Sequence, residues 1–243
     1  MKKLISMIVV ALSLALPLQA AAKDLSEDRV REIVLETIRE NPEIVMEAVA
    51  ILDARQAEAQ AASQAEVFDA ERETLERDPN APVLGNPEGD VTVVEFFDYN
   101  CPYCRRAKPG IAALLAADPN VRLIYREWPI LGDGSVFAAR AALAAREQGL
   151  YEVFHRAMMG MNGRAEESSV LRIAEEIGLD IAQLRRDMEA QEIDAHIQTS
   201  MRLAQALGIT GTPSFVIGDA LVSGVVDADR LQTLVSDTRE PEQ

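Results

Sequence analysis

The stretch Val91-Thr92-Val93-Val94-Glu95-Phe96-Phe97-Asp98-Tyr99-Asn100-Cys101-Pro102-Tyr103-Cys104 decides the fold. Its first seven residues read as a buried strand, rich in β-branched and aromatic side chains. Cys101-Pro102-Tyr103-Cys104 then opens a helix-like run, Arg105 to Ala117. These are the only two cysteines in the chain. Three residues apart in a first helical turn, they share a face at roughly 5 Å between Cα atoms, within reach of a disulfide. So short a bridge closes almost no loop and constrains the unfolded chain little. The pair therefore suits reversible redox exchange better than stapling.

Working outward, Val121-Arg122-Leu123-Ile124-Tyr125 reads as a second strand. Helical periods follow at about 135–148, 150–159, 168–177, 181–190 and 194–207, punctuated by Gly149, Gly160, Gly178 and Gly208. Residues 213–217 and 221–223 read as a hairpin turning at Gly218-Asp219, and 227–238 as a last helix. Ser168, Asp180 and Asp227 read as helix caps, and Pro109 as a kink in the first helix. This order predicts an α/β protein: a thioredoxin fold with a helical domain inserted between its two halves, at about 131–208. A catalytic domain is expected over 79–243.

The first residues read as a secretory signal, 1–22. Lys2 and Lys3 precede an apolar run, Leu4 to Leu16, and Ala20-Ala21-Ala22 offers a small-residue cleavage site. The run is short for a membrane span, although a retained anchor is the other reading. Export to the periplasm is expected. An oxidising compartment usually turns a cysteine pair into a structural bridge, but the short spacing argues for exchange.

Residues 23–78 read as an N-terminal helical arm. Ser26 is an N-cap with acids in the first turn. Val30, Ile33, Val34 and Ile38 recur at helical spacing, and Ile44, Val45, Ala48, Val49 and Leu52 form a second stripe. Between them, Asn41 reads as the N-cap of the second helix, with Pro42 at its first position. Residues 54–77 read as a helical spacer: 54–65 has little to bury, and Val67, Phe68 and Leu75 resume an apolar pattern only weakly. The arm is too small for a core of its own. Its stripes pack either on the catalytic domain or, as favoured here, on another copy, giving a homo-oligomer through 26–52.

The chemistry centres on Cys101. Only the thiolate attacks a disulfide, and free N–H groups with the positive dipole end at a helix start stabilise a negative sulfur. Pro102 suits the first turn. Tyr103 adds no positive charge, so it should stabilise the thiolate less than a histidine there would. Cys104, one turn inside, is the natural resolving thiol. Thr212-Pro213 opens a strand; an X–Pro bond is the common source of cis peptides, and the Thr212 backbone there can pair with an extended substrate. Glu95 shares its strand face with Val91, Val93 and Phe97, which should raise its pKa. Two readings of Glu95 stand: a proton relay to Cys104, or a carboxylate with no role.

Residues 94–104, joined by Thr212-Pro213 and the helical insertion, resemble the DsbA family of thiol-disulfide oxidoreductases over about 79–240. Tyr125-Arg126-Glu127-Trp128-Pro129-Ile130 also looks like this family. The resemblance implies Cys101 as nucleophile, Cys104 as resolving thiol, Pro213 in cis, and Glu95 as the buried acid before the motif. The founding oxidase type carries Cys-Pro-His-Cys, and this chain departs from it at Tyr103. The helical arm resembles ScsC-type proteins, some of which are trimeric disulfide isomerases.

A net charge of −16 and 5% aromatic residues argue against nucleic acid. His155 and His196 fit no usual zinc module with the cysteines, so no metal site or cofactor is expected. Trp128, Phe137, Phe154, Met158, Met159 and Met161 read as core or as the floor of a peptide groove. The expected activity is isomerisation or reduction of disulfides in cysteine-containing exported proteins, with a membrane redox partner. The alternatives are a monomeric dithiol oxidase and a periplasmic copper-binding or chaperone-like protein.

Overall fold

The structure is a computed structural model and describes residues 26–240. The signal-like segment 1–22 lies outside the described residues.

The N-terminal unit begins with α1 (Glu27–Glu40). Ser26 caps it, its hydroxyl accepting from the Arg29 N–H at 3.3 Å. Asn41 ends α1 and does not N-cap the next helix as expected. Its backbone N–H and side-chain amide both donate to the Thr37 carbonyl, at 2.9 and 3.0 Å. That carbonyl is one of the orphan acceptors of a helix end, and the amide reaches it locally. α2 (Glu43–Arg77) follows. No residue of α1 is buried, and Val30, Ile33, Val34, Ile44, Val45, Val49 and Leu52 are all exposed.

The second unit runs from Glu58. It holds five strands: β1 (Val83–Gly85), β2 (Val91–Phe97), β3 (Val121–Glu127), β4 (Ser214–Ile217) and β5 (Ala220–Ser223), in spatial order β1-β3-β2-β4-β5. β2 and β3 are parallel, with Val93 opposite Leu123 and Glu95 opposite Tyr125; the other pairings are antiparallel. β2 and β3 are covered on both faces, which explains their nearly unbroken apolar character. This is the thioredoxin fold, with α3 (Pro102–Ala117) linking the parallel strands and α9 (Ala228–Arg239) closing the domain. Between β3 and β4 lie α4 (Asp133–Ala144), α5 (Tyr151–Gly160), α6 (Glu167–Glu176), α7 (Ile181–Asp187) and α8 (Gln191–Ala206).

One sheet face, with Val93, Phe97 and Leu123, packs with Ile111 and Leu114 of α3 and Phe154 and Met158 of α5. The opposite face, with Val94, Phe96 and Ile124, packs with Leu203 and Leu207 and also with Phe68 and Leu75 of α2. The expectation of a spacer through residue 77 is therefore corrected at its C-terminal end. Two large apolar side chains in a polar stretch suffice to dock those turns, because each buries enough surface to contribute roughly 1.5–3 kcal/mol. The sheet also caps the helix: Arg122 donates to the Glu76 carbonyl, and Arg126 to the carbonyls of Thr74 and Leu75.

Three smaller expectations change. β1 has only three residues, too few for an alternation to register. β3 runs two residues beyond Tyr125. Ser168 is not a cap: Glu166 precedes α6, and its N–H donates to the Ser169 hydroxyl at 3.0 Å. Asp180 and Asp227 do cap, accepting from the N–H groups of Gln183 and Arg230, each at 2.9 Å. α3 runs on through Pro109, which has no N–H for the Arg105 carbonyl.

Candidate active site

The end of β2 delivers the chain into a tight turn. Asp98 accepts the Asn100 N–H at 2.7 Å, and the Cys101 N–H donates to the Asp98 carbonyl at 3.0 Å. Cys101 takes the N-cap position of α3 and Pro102 its first. Both cysteines are free thiols and buried. Tyr103 is 52% exposed, with the Arg106 guanidinium 4.3 Å above its ring.

The two sulfurs are electrostatically opposite. Cys101 is pushed down to about 5. The hydrogen bond from the Cys104 thiol is the largest cause; burial opposes it, and the Thr212 side chain and the N–H groups of Cys104 and Tyr103 reinforce it. Cys104 is pushed up by burial first, then by donating to Cys101 and by the nearby Glu95 charge, against an opposing N–H from Asp98. One group is thus a thiolate at neutral pH and its neighbour a thiol.

Across the turn, the Thr212–Pro213 bond is cis. The protonated Cys101 sulfur donates to the Thr212 carbonyl at 3.2 Å. The Pro213 carbonyl accepts from the Gly224 N–H at 2.8 Å, tying this loop to the end of β5. Glu95 is 2% exposed, and burial, then the Cys101 charge, raises its pKa well above the carboxylate range. The structure therefore brings Cys101, Cys104, Glu95, Thr212 and Pro213 to one place, with Pro102 and Tyr103 at its rim.

Sequence reasoning missed the groups that hold this turn. The Asp98 carboxylate accepts the N–H groups of Asn100, Ile130 and Leu131 and the Ser135 hydroxyl, at 2.7–2.9 Å. The Asn100 amide donates to Ser135 Oγ at 3.0 Å and to the Ala165 carbonyl at 3.1 Å, and accepts the Ala165 N–H at 2.7 Å. The active turn is thereby bolted to the start of α4 and to the loop before α6. Asp-x-Asn after a strand was the available signal, since Asp accepts an N–H two residues on.

The remaining flagged residues serve the interior. His155 is buried, with its Nδ1 3.1 Å from the Tyr99 hydroxyl and its ring stacked on Tyr125 at 4.2 Å. His196 Nε2 accepts the Glu127 N–H at 3.2 Å. Burial pushes both imidazoles down to about 3. Among the described residues, no three His, Cys, Asp or Glu side chains cluster to hold a metal. Trp128, Phe154, Met158 and Met159 are core, and Phe137 and Met161 pack partly buried against it.

Residues 92–237 match the DSBA-like thioredoxin domain. The chain belongs to that family. Residues 27–59 match the copper resistance protein ScsC N-terminal domain. A thioredoxin-like oxidoreductase from Silicibacter pomeroyi DSS-3 is 68% identical, with a TM-score of 0.69 over 70% of this chain and 99% of that one. A linker-deletion mutant of Proteus mirabilis ScsC is 27% identical, with a TM-score of 0.70 over 92% of this chain and 100% of that one. Na(+)/H(+) antiporter NhaA 3 of Salinispora tropica is 30% identical over 155 residues, 63% of this chain and 24% of that protein. The chain thus spans about a quarter of the length of the first curated relatives it matches. As a DsbA-like protein, the chain carries N-terminal helices before its thioredoxin domain.

Proposed function

We propose that the protein is a periplasmic thiol-disulfide oxidoreductase that isomerises or reduces disulfides in exported proteins. The observation that carries the chemistry is the split between the sulfurs: Cys101 is pushed down to about 5 at a helix N-terminus, and Cys104 up within the same turn. The Cys101 thiolate attacks one sulfur of a client disulfide, forming a mixed disulfide and releasing the other client sulfur as a thiolate. In isomerisation a client thiolate displaces Cys101, with no net electron transfer. In reduction Cys104 loses its proton to Glu95 and attacks Cys101, passing two electrons to the client and leaving the Cys101–Cys104 disulfide. A membrane redox partner then returns two electrons. Thr212 and Pro213 present backbone to an extended client segment.

Isomerisation is favoured by the arm. Apolar residues exposed along α1 and the start of α2 suit packing against a second copy, and an oligomer sets several active sites around one trapped client. Export rests on the signal-like N-terminus; among the described residues no helix is long and apolar enough to cross a membrane.

Refolding of scrambled ribonuclease by the full chain and by a chain lacking residues 23–57 tests this reading. Restored activity with the full chain and a large loss on truncation are expected, with light scattering showing an oligomer only for the full chain. Equal isomerisation by both would sink the role of the arm. One observation favours a second reading: a thiolate stabilised as strongly as Cys101 makes the reduced pair stable and the disulfide oxidising. A monomeric oxidase would reactivate reduced ribonuclease and leave the scrambled form untouched.

A further inference from the structure

The molecule carries a cationic cleft away from the cysteines. It has a volume of about 470 Å³ and lies where α2 passes into β1. Arg77, Arg122 and Arg146 line it, together with Pro82, Leu84 and Tyr151. In a chain of net charge −16, three arginines line this one cleft, and among the described residues none of them has a carboxylate within 4 Å. Of the nearby acids, Asp78 and Glu152 also line the cleft, and Glu88 makes no ion pair among the described residues. Asp78 pairs with the buried Arg126 at 2.5 Å, Glu76 with Arg72 at 3.3 Å, and Glu152 with Arg156.

Arg122 is the informative member. It is 8% exposed and donates to the Glu76 carbonyl, while its Nε is buried without a partner among the described residues. A buried guanidinium without a counter-charge costs several kcal/mol unless an anion or a dense set of acceptors offsets it. Here the neighbouring charge has the wrong sign: Arg77 adds to burial in making the Arg122 cation less favourable, and Glu76 and Glu88 only partly oppose it. Arg126, four residues along β3, shows the contrasting solution, since it has Asp78. Arg146 is held in place through the carbonyls of Asn80 and Pro79.

We infer that this cleft is a binding site for a small oxyanion, a phosphate or carboxylate group, held between Arg77 and Arg122 with Arg146 at its edge. Guanidinium forks match both oxyanions through paired, charge-assisted hydrogen bonds. The apolar wall of Pro82, Leu84 and Tyr151 leaves room for a small organic body. Because Arg77 ends α2 and residues 78–82 cross to β1, a bound anion joins the end of α2 to the sheet. The inference is independent of the redox chemistry.

Calorimetric titration of the full chain with inorganic phosphate, and separately with malonate, tests it. Thermal melts accompany the titrations, with sodium chloride matching ionic strength throughout. Saturable binding at about 1 mM or tighter is expected for at least one probe, with a raised melting temperature and slower amide exchange over residues 77–84. Arg77→Gln, an exposed position, should weaken binding about tenfold, as should Arg146→Gln; Arg172→Gln, on a remote helix, should not. Phosphate-only binding assigns a phosphate site, and binding of both probes a general oxyanion site. Responses to both probes no greater than that to chloride would overturn the inference. So would unchanged affinity in both Arg77→Gln and Arg146→Gln, whose folding is checked by their melts.

Discussion

The Cys101 thiol donates a hydrogen bond to the Thr212 carbonyl at 3.2 Å, across 111 residues of sequence. Only the protonated sulfur can make this bond. The Thr212 side chain and the N–H groups of Tyr103 and Cys104 favour the thiolate instead. Loss of the proton therefore releases the Thr212 carbonyl as an acceptor. On the function proposed above, it then accepts an N–H from the client backbone as the sulfur becomes nucleophilic.

Alkylation of reduced protein by iodoacetamide should titrate at Cys101 with a midpoint at about 5, while Cys104 stays a thiol well above neutrality. The folded pKa lies below the ordinary thiol value, so the unfolded chain binds more protons between the two. This contribution to the stability of the reduced protein is complete above the ordinary thiol pKa and is lost as pH falls through about 5. Thr212→Val should move the midpoint upward. A wild-type midpoint of 8 or above would remove the asymmetry between the sulfurs.

Glu95→Gln separates a relay from an inert carboxyl. The folded pKa is raised, so the wild-type acid ionises in the unfolded chain first, and its contribution to stability falls as pH rises above the ordinary carboxylate range. The variant should therefore melt higher than wild type at pH 7.5 and at the same temperature at pH 4. Stopped-flow decay of a mixed disulfide should slow by about 10²-fold where Cys104 is the attacking group. An unchanged rate with raised stability would leave Glu95 without a proton role.

Asp98→Ala should cost about 3–4 kcal/mol in denaturant unfolding, because three N–H groups and the Ser135 hydroxyl lose an acceptor that is itself buried. Asp98→Asn retains a carbonyl oxygen and should cost less. If the two variants behave alike, the carboxylate does not organise the turn.

Where the arm is cut should matter. A chain starting at residue 58 keeps Phe68 and Leu75 in the core and Asp78 on Arg126. A chain starting at residue 79 loses all three and leaves Arg126, 0% exposed, without its carboxylate. A lost partner for a buried charge costs about 3–5 kcal/mol, and each deleted apolar side chain about 2–5. Urea midpoints should be close to wild type for the first chain and far lower for the second; equal midpoints would refute the docking of α2.

Much of this protein is written locally. The bounds of β2 and α3, the placing of Cys101 at a helix start, and the helices of the insertion follow from side-chain period, caps and proline. These act over a few residues and need no partner. β1 escaped because three residues carry no period.

The roles of Phe68, Asp98 and Arg122 are set by position in space. A polar helix with two apolar residues reads as a spacer until a sheet face lies beneath it. An acid after a strand reads as a turn residue until Ile130, Leu131 and Ser135 bring their donors to it. Sequence by itself determined that two thiols lie one turn apart at a helix start, because a helix N-terminus is a local structure. Only the tertiary structure decided what surrounds them: Thr212 against Cys101, Glu95 kept from water, and α2 anchored at its end. Desolvation and long-range hydrogen bonding depend on which distant elements pack together, and no short window of sequence carries that information.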